Sequence, residues 1–493
     1  MRFELDGYRA RAEGFCEELS REYYLHLAGR KPDLEIEPIY GSYAELFSRD
    51  AVSRLRELHA EAHGEEGRRL RYLLRFAFDG LVGMETSRES AEVAGLEASL
   101  ELDAGDGPVP YRAVQIQQAN EPDPERRADL EEGRNRLLVE RLNPLHRSAL
   151  ERAHELCRAF GWESYALAYA ELRGVDLDAL AGQTARFLDA TQDRYRVLLA
   201  TQLERLRLPP LGELRRCDLP RLFRGPGLDP LFGAEHLIGS FRSTLAGLGV
   251  DLELQDNVHL DTEPRPTKSP RAFCSTPRVP GEVYLVIAPH GGRDDYAALF
   301  HEGGHAEHYA HTDAGLAFEF RQLGDNSVTE SFAFLLEHLV EDPAWLRERL
   351  QAEGTEDAVA HARASKLLLL RRYCAKLAYE LELHGGRREL DEIPGRYAAL
   401  LTNAVGVPWP RESWLADLDE GFYVACYLQA WALADRWRAA LVEQFGELWF
   451  DSEAAGRWLR GLWRRGQRLD AGELFAETVG GVLDFATLAG DYL

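Results

Sequence analysis

The 493-residue chain has no run of 18 apolar residues, so it has no candidate for a membrane-crossing helix. Its amino terminus, Met1-Arg-Phe-Glu-Leu-Asp-Gly-Tyr-Arg9, lacks the apolar stretch of an export signal, and a soluble protein is expected. It also lacks any Cys-x-x-Cys pair. The six cysteines (Cys16, Cys157, Cys217, Cys274, Cys374 and Cys426) are scattered, which excludes a thiolate zinc cluster and argues against a disulfide framework. They read as buried thiols of a reducing compartment, and a cytoplasmic location is the expectation. Lysine is scarce, four against 54 arginines, which fits a compositional bias of the source better than a functional need. A formal charge of −25 leaves no basic surface for a phosphate backbone, so no nucleic-acid partner is expected.

Linkers are missing too. No Ser/Gly-rich tract, proline-rich spacer or internal repeat interrupts the chain, and its clearest breaks are the turn-rich stretches 120–125 and 261–270. Residues 1–493 therefore read as a single domain, and 45% hydrophobic residues suffice for a large core.

What is abundant is helical periodicity. Within the proline-free stretch 145–208, Leu180, Phe187, Leu188, Tyr195, Leu198, Leu199 and Leu203 recur near 3.6-residue spacing up to Pro209-Pro210. Similar patterns fill 8–30, 52–82, 356–385 and 421–447. Strand signals are few: Leu96–Leu102, Tyr111–Gln117 and Gly281–Ile287. The expected class is mainly α with a small sheet. An exposed edge at Val283–Ile287 would suit an extended peptide, and an ordinary buried strand is the equal alternative.

Residues 301–305 read His-Glu-Gly-Gly-His, on a run whose Tyr296, Leu299 and Phe300 have helical spacing and whose first turn carries Asp294 and Asp295. Histidines four apart on a helix project from one face, so His301 and His305 can share one metal ion. Glu302 sits about 100° round the helix and is left free to act on a bound water. Glu330 lies 25 positions past His305, in an apolar run where an ionised carboxylate is costly to bury without a cation. Three ligands and an open fourth position are what catalytic zinc (Zn2+) needs.

These residues resemble the thimet oligopeptidase, neurolysin and oligopeptidase F family of zinc metallopeptidases. Lys268-Ser-Pro-Arg-Ala-Phe-Cys274 is similar to the family's segment ending Gly-Ala-Phe/Tyr-Cys. Leu299-Phe-His-Glu-Gly-Gly-His-Ala-Glu-His308 resembles its Leu-x-His-Glu-Phe-Gly-His-x-x-His. Glu330 and Glu337 match both acidic positions of its Glu-x-Pro-Ser-Gln-x-x-Glu, and Phe422-Tyr-Val-Ala-Cys-Tyr427 resembles its tyrosine-rich segment. The likeness is specific over about 268–437.

The resemblance implies a neurolysin-like zincin. Two helical lobes, here approximately 1–235 and a zinc-bearing 236–493, would flank a deep channel admitting short unstructured peptides, with a small sheet beside the zinc. The implied activity is hydrolysis of internal peptide bonds in oligopeptides. His301, His305 and Glu330 would hold zinc, Glu302 would shuttle the proton, and Tyr423 would donate a hydrogen bond to the oxyanion. Tyr427 would orient substrate or simply pack.

Departures accompany the matches. Gly303 replaces the usual phenylalanine, and Phe334 stands four past Glu330, where other glutamate-ligand zincins often place an acid. Leu418 and Ala430 occupy a histidine and a tyrosine position of thimet-type enzymes. Glu337 is the candidate to accept an N–H from a ligand imidazole, and His308 either supports a ligand or packs. Two other readings stay open: a carboxydipeptidase gripping a free C-terminus, and a degenerate zinc-binding peptide carrier.

Overall fold

The structure, a computed structural model, describes residues 3–103 and 107–492; residues 1, 2, 104–106 and 493 of the expected 1–493 span lie outside it. The chain is mainly helical with small sheets, and no helix among the described residues is long and apolar enough to cross a membrane. Two compact units emerge from its internal contacts. The first comprises 1–78, 228–359 and 429–484, and the second 79–227, 360–428 and 485–493. Residues 1–235 and 236–493 are thus each shared between both units.

The first unit is built around helix α1 (Leu5–Leu27), helix α2 (Ala234–Gly247), strands β1 (Val258–Asp261), β2 (Phe273–Arg278) and β3 (Glu282–Val286), and helices α3 (Arg293–His311) and α4 (Asn326–Glu337). The strands form one sheet in the order β1-β3-β2, with β1 parallel to β3 and β2 antiparallel to it. The strand anticipated at 281–287 is present, but it is the middle strand. Val283, Leu285 and Val286 are fully buried, so an apolar, β-branched run goes where both neighbours pair with it. The edges fall to β1 and β2.

Helix α1 packs on β2. Its Tyr24 ring stacks on Tyr284 at 3.7 Å, and its Ser20 hydroxyl accepts the Thr276 N–H at 3.1 Å. The loop after β1 is fixed by charge. Asp261 accepts from Lys268 Nζ at 3.0 Å and Arg30 at 3.0 Å, and from Arg265. Lys268 and Asp261 are both nearly inaccessible, so neither charge can lose its partner cheaply.

In the second unit the stretch 145–208 is helical but broken, into Asn143–Ala159, Tyr165–Arg173 and Leu177–Arg205. Gly174, in the left-handed conformation at φ 68°, ends the middle helix, and the Asp176 side chain caps the next by accepting the Ala179 N–H. Leu180, Phe187, Tyr195, Leu199 and Leu203 are buried as their spacing predicts. Buried Arg371, on helix Glu356–His384, donates to Leu188 O and Thr191 Oγ1 at 2.7 Å each and to Ala404 O at 2.8 Å. A guanidinium so fully bonded fits an interior that would otherwise reject it.

Two of the strand expectations fail. Residues 96–102 are mostly the end of helix Ser87–Ser99, with only the short strand Glu101–Asp103 beyond it. Tyr111–Gln117 is a 3-10 turn running into helix Val114–Asn120. Val-Gln-Ile-Gln alternates like a strand, yet Ile116 is 66% exposed while Gln118 is wholly buried. Gln118 donates to Arg127 O and Glu131 Oε2 at 3.1 Å each, so a polar side chain occupies the buried helical position.

Candidate metal centre

Helices α3 and α4 pack extensively against each other, and glycine lets them come close. A Cβ on Gly304 would lie 2.5 Å from Phe332 O and 2.6 Å from Ala333 Cα, so α4 rests directly on the α3 backbone. Gly303 faces α2 instead. A Cβ there would stand 2.4 Å from Phe241 Cε2, and the Phe241 ring fills the space beside that glycine.

This approach brings three donors together. His301 Nε2 is 3.4 Å and His305 Nε2 is 3.7 Å from Glu330 Oε2, and the three ligand atoms all lie within 4.8 Å of one another. Two donors about 2.1 Å from a tetrahedral zinc stand about 3.4 Å apart, so each imidazole lies near that spacing from Glu330, and the N/N/O donor set is one that ion takes. The Glu330 side chain retains 7% exposure, against 20% for His301 and 13% for His305. The carboxylate is therefore the deeper donor and the imidazoles the more accessible ones.

Both imidazoles are held from behind. His301 Nδ1 is 2.8 Å from Glu337 Oε2, and His305 Nδ1 is 2.8 Å from Thr329 Oγ1. With each Nδ1 so engaged, each Nε2 is left for the shared centre. The Phe334 ring packs edge-on against His301 at 5.1 Å, so at that position an aromatic contact stands where an acid was looked for. Glu302 is on the same helix, and its Oε2 accepts the Cys274 N–H of β2 at 2.8 Å.

Electrostatics follow from this crowding. Burial disfavours charge on His301, but the Glu330 and Glu337 carboxylates outweigh it and raise its pKa to about 10. A proton there answers carboxylates that a cation would otherwise balance. His305 is driven down to about 4 by burial, with Glu330 opposing, and burial lifts Glu302 to about 7 against the pull of His301 and the Cys274 N–H.

His308 is fully buried, its ring contacts are Tyr309 at 5.3 Å and Phe332 at 4.8 Å, and burial lowers its pKa to about 3. Tyr423 and Tyr427 belong to the second unit, at the start of helix Tyr423–Phe445. Their rings meet at 5.0 Å, Tyr427 touches Tyr373, and the Arg173 guanidinium lies 5.5 Å over Tyr423. Leu418 and Ala430 flank that segment, and Ala430 is fully buried.

Two contributors escaped the sequence reading. Thr329 stands beside Glu330 as a polar residue in an apolar run, which was a usable signal. The Cys274 N–H is a backbone group and leaves no signal. Compared with known proteins, the chain matches no family model and no curated protein.

Proposed function

We propose that the protein is a zinc-dependent peptidase acting on short peptides, of the kind its motifs resemble. The convergence of His301, His305 and Glu330 within 4.8 Å, with Glu302 beside them, carries this reading. The three residues would hold the ion. When bound, zinc brings the pKa of a water to about 7 and polarises a carbonyl.

The chain's own groups do the rest. Glu337 keeps the His301 imidazole turned, so that its Nε2 rather than Nδ1 serves as donor. The Cys274 N–H fixes Glu302 Oε2, and Oε1 takes the proton of the attacking water and returns it to the leaving amine. Hydrogen-bond donation to the oxyanion by Tyr423, substrate orientation by Tyr427, and a two-lobed channel admitting only short unstructured peptides belong to the same proposal, on the strength of the resemblance.

Purified protein incubated with quenched peptides of graded length, with and without chelator, tests it. Chelator-sensitive cleavage within short peptides is the expected result. Release of C-terminal dipeptides alone would favour a carboxydipeptidase, and zinc binding without cleavage at any length would favour a carrier.

A further inference from the structure

We infer that Thr329 is a positioning residue for the metal centre, its hydroxyl accepting the His305 Nδ1–H and thereby aiming Nε2 at the site shared with His301 and Glu330. The inference rests on the zinc reading above and adds a residue to it. The first observation is where the hydroxyl goes. In helix interiors, threonine and serine hydroxyls commonly close back on the carbonyl four residues earlier. Those of Ser331, Thr244 and Thr191 do so here, at 2.6, 2.7 and 2.8 Å. The Thr329 hydroxyl instead meets His305 Nδ1 on the facing helix at 2.8 Å.

The second observation is the hydrogen this contact leaves on His305. A threonine hydroxyl has one hydrogen to give and lone pairs to accept with. Receiving the Nδ1–H, it leaves Nε2 bare on the side of Glu330 Oε2, 3.7 Å away. The reverse arrangement places a hydrogen on Nε2, which an incoming cation would have to displace.

The third observation is charge. His301 is backed by the Glu337 carboxylate, whereas His305 is backed by a neutral hydroxyl. Glu330 and Glu337 together balance one dication, and Glu302 remains nearby as a third carboxylate. A further acid behind His305 would overload the centre with negative charge. A hydroxyl supplies orientation without it.

Zinc affinity of Thr329→Val and Thr329→Ser, measured by chelator competition on the full chain, tests the inference together with the visible spectrum of the cobalt-loaded protein. Valine keeps the shape and removes the acceptor. Its zinc affinity is expected to fall about 10- to 100-fold with an altered cobalt spectrum, and serine is expected to restore both. Whether or not Thr329→Val folds, histidine nitrogen NMR of the metal-free wild type provides an independent reading, with His305 expected as the Nδ1–H tautomer. Wild-type affinity and spectrum in Thr329→Val, or an Nε2–H tautomer at His305, would overturn the role of Thr329 alone. Failure of the wild-type protein to bind zinc would overturn the metal reading itself.

Discussion

Replacing Gly304 with alanine probes the contact on which the metal centre is built. The added methyl would sit 2.5 Å from Phe332 O and 2.6 Å from Ala333 Cα, about 1 Å inside ordinary van der Waals contact. Both obstacles are backbone, so no flexible side chain can swing aside and the helices must part locally. Overpacking of this kind costs about 1–3 kcal/mol. The sign is the useful part, because alanine in an unobstructed helix interior stabilises by about 1 kcal/mol relative to glycine. Gly95→Ala supplies the control, since Gly95 lies within helix Ser87–Ser99 with nothing within 4 Å of its added Cβ. On the proposed zinc reading, the metal site would feel the same displacement. Coordination distances tolerate about 0.2 Å, so carrying Glu330 about 1 Å from the histidines should weaken zinc binding by well over 10-fold. Urea unfolding of the metal-free variants and chelator competition for zinc read the two effects separately. A Gly304→Ala protein that unfolds at higher urea than wild type, with zinc affinity intact, would refute the close-approach argument.

Glu302→Gln should retain zinc while peptide hydrolysis falls at least about 100-fold, because an amide can hold the water but not take its proton; comparable turnover would remove Glu302 from the mechanism. Tyr423→Phe should lower kcat about 100-fold with little change in KM, as expected for a bond made in the transition state, and an unchanged kcat would move the oxyanion role elsewhere. Asp261→Asn should cost about 3 kcal/mol at neutral pH by stranding buried Lys268. Burial works against the Asp261 charge, yet its bonds to Lys268, Arg30 and Arg265 hold its pKa below the usual carboxylate range, so its stabilisation is complete above about pH 4 and fades as pH falls through the lower folded value. Acid titration of unfolding midpoints should accordingly show a shallower decline below pH 4 in the variant, and an unchanged slope would dismiss the linkage.

Periodic apolar spacing was enough to locate the long helices because burial of one face is a local signal: Leu180, Phe187, Tyr195 and Leu203 are inside for the reason their spacing gives. The cluster of three side chains was legible on the same ground for His301 and His305, whose four-residue spacing means proximity on any helix. Glu330 was a different inference. Nothing local says that a residue 25 positions on lies beside them, and its proximity had to be argued from the cost of a carboxylate in an apolar run. Where polarity and burial part company, the pattern misleads, as at Ile116, an exposed apolar residue whose alternation with Gln115 and Gln117 made a helix look like a strand, while polar Gln118 is the residue inside. Position within the sheet was equally hidden, because β3 becomes the middle strand only through parallel pairing with β1, and sequence order places β2 next to it alone. The close packing of α3 on α4 belongs to the same class. A glycine in a helix reads as a local weakness until the partner backbone 2.5 Å from its absent Cβ turns it into the condition for bringing Glu330 to the histidines.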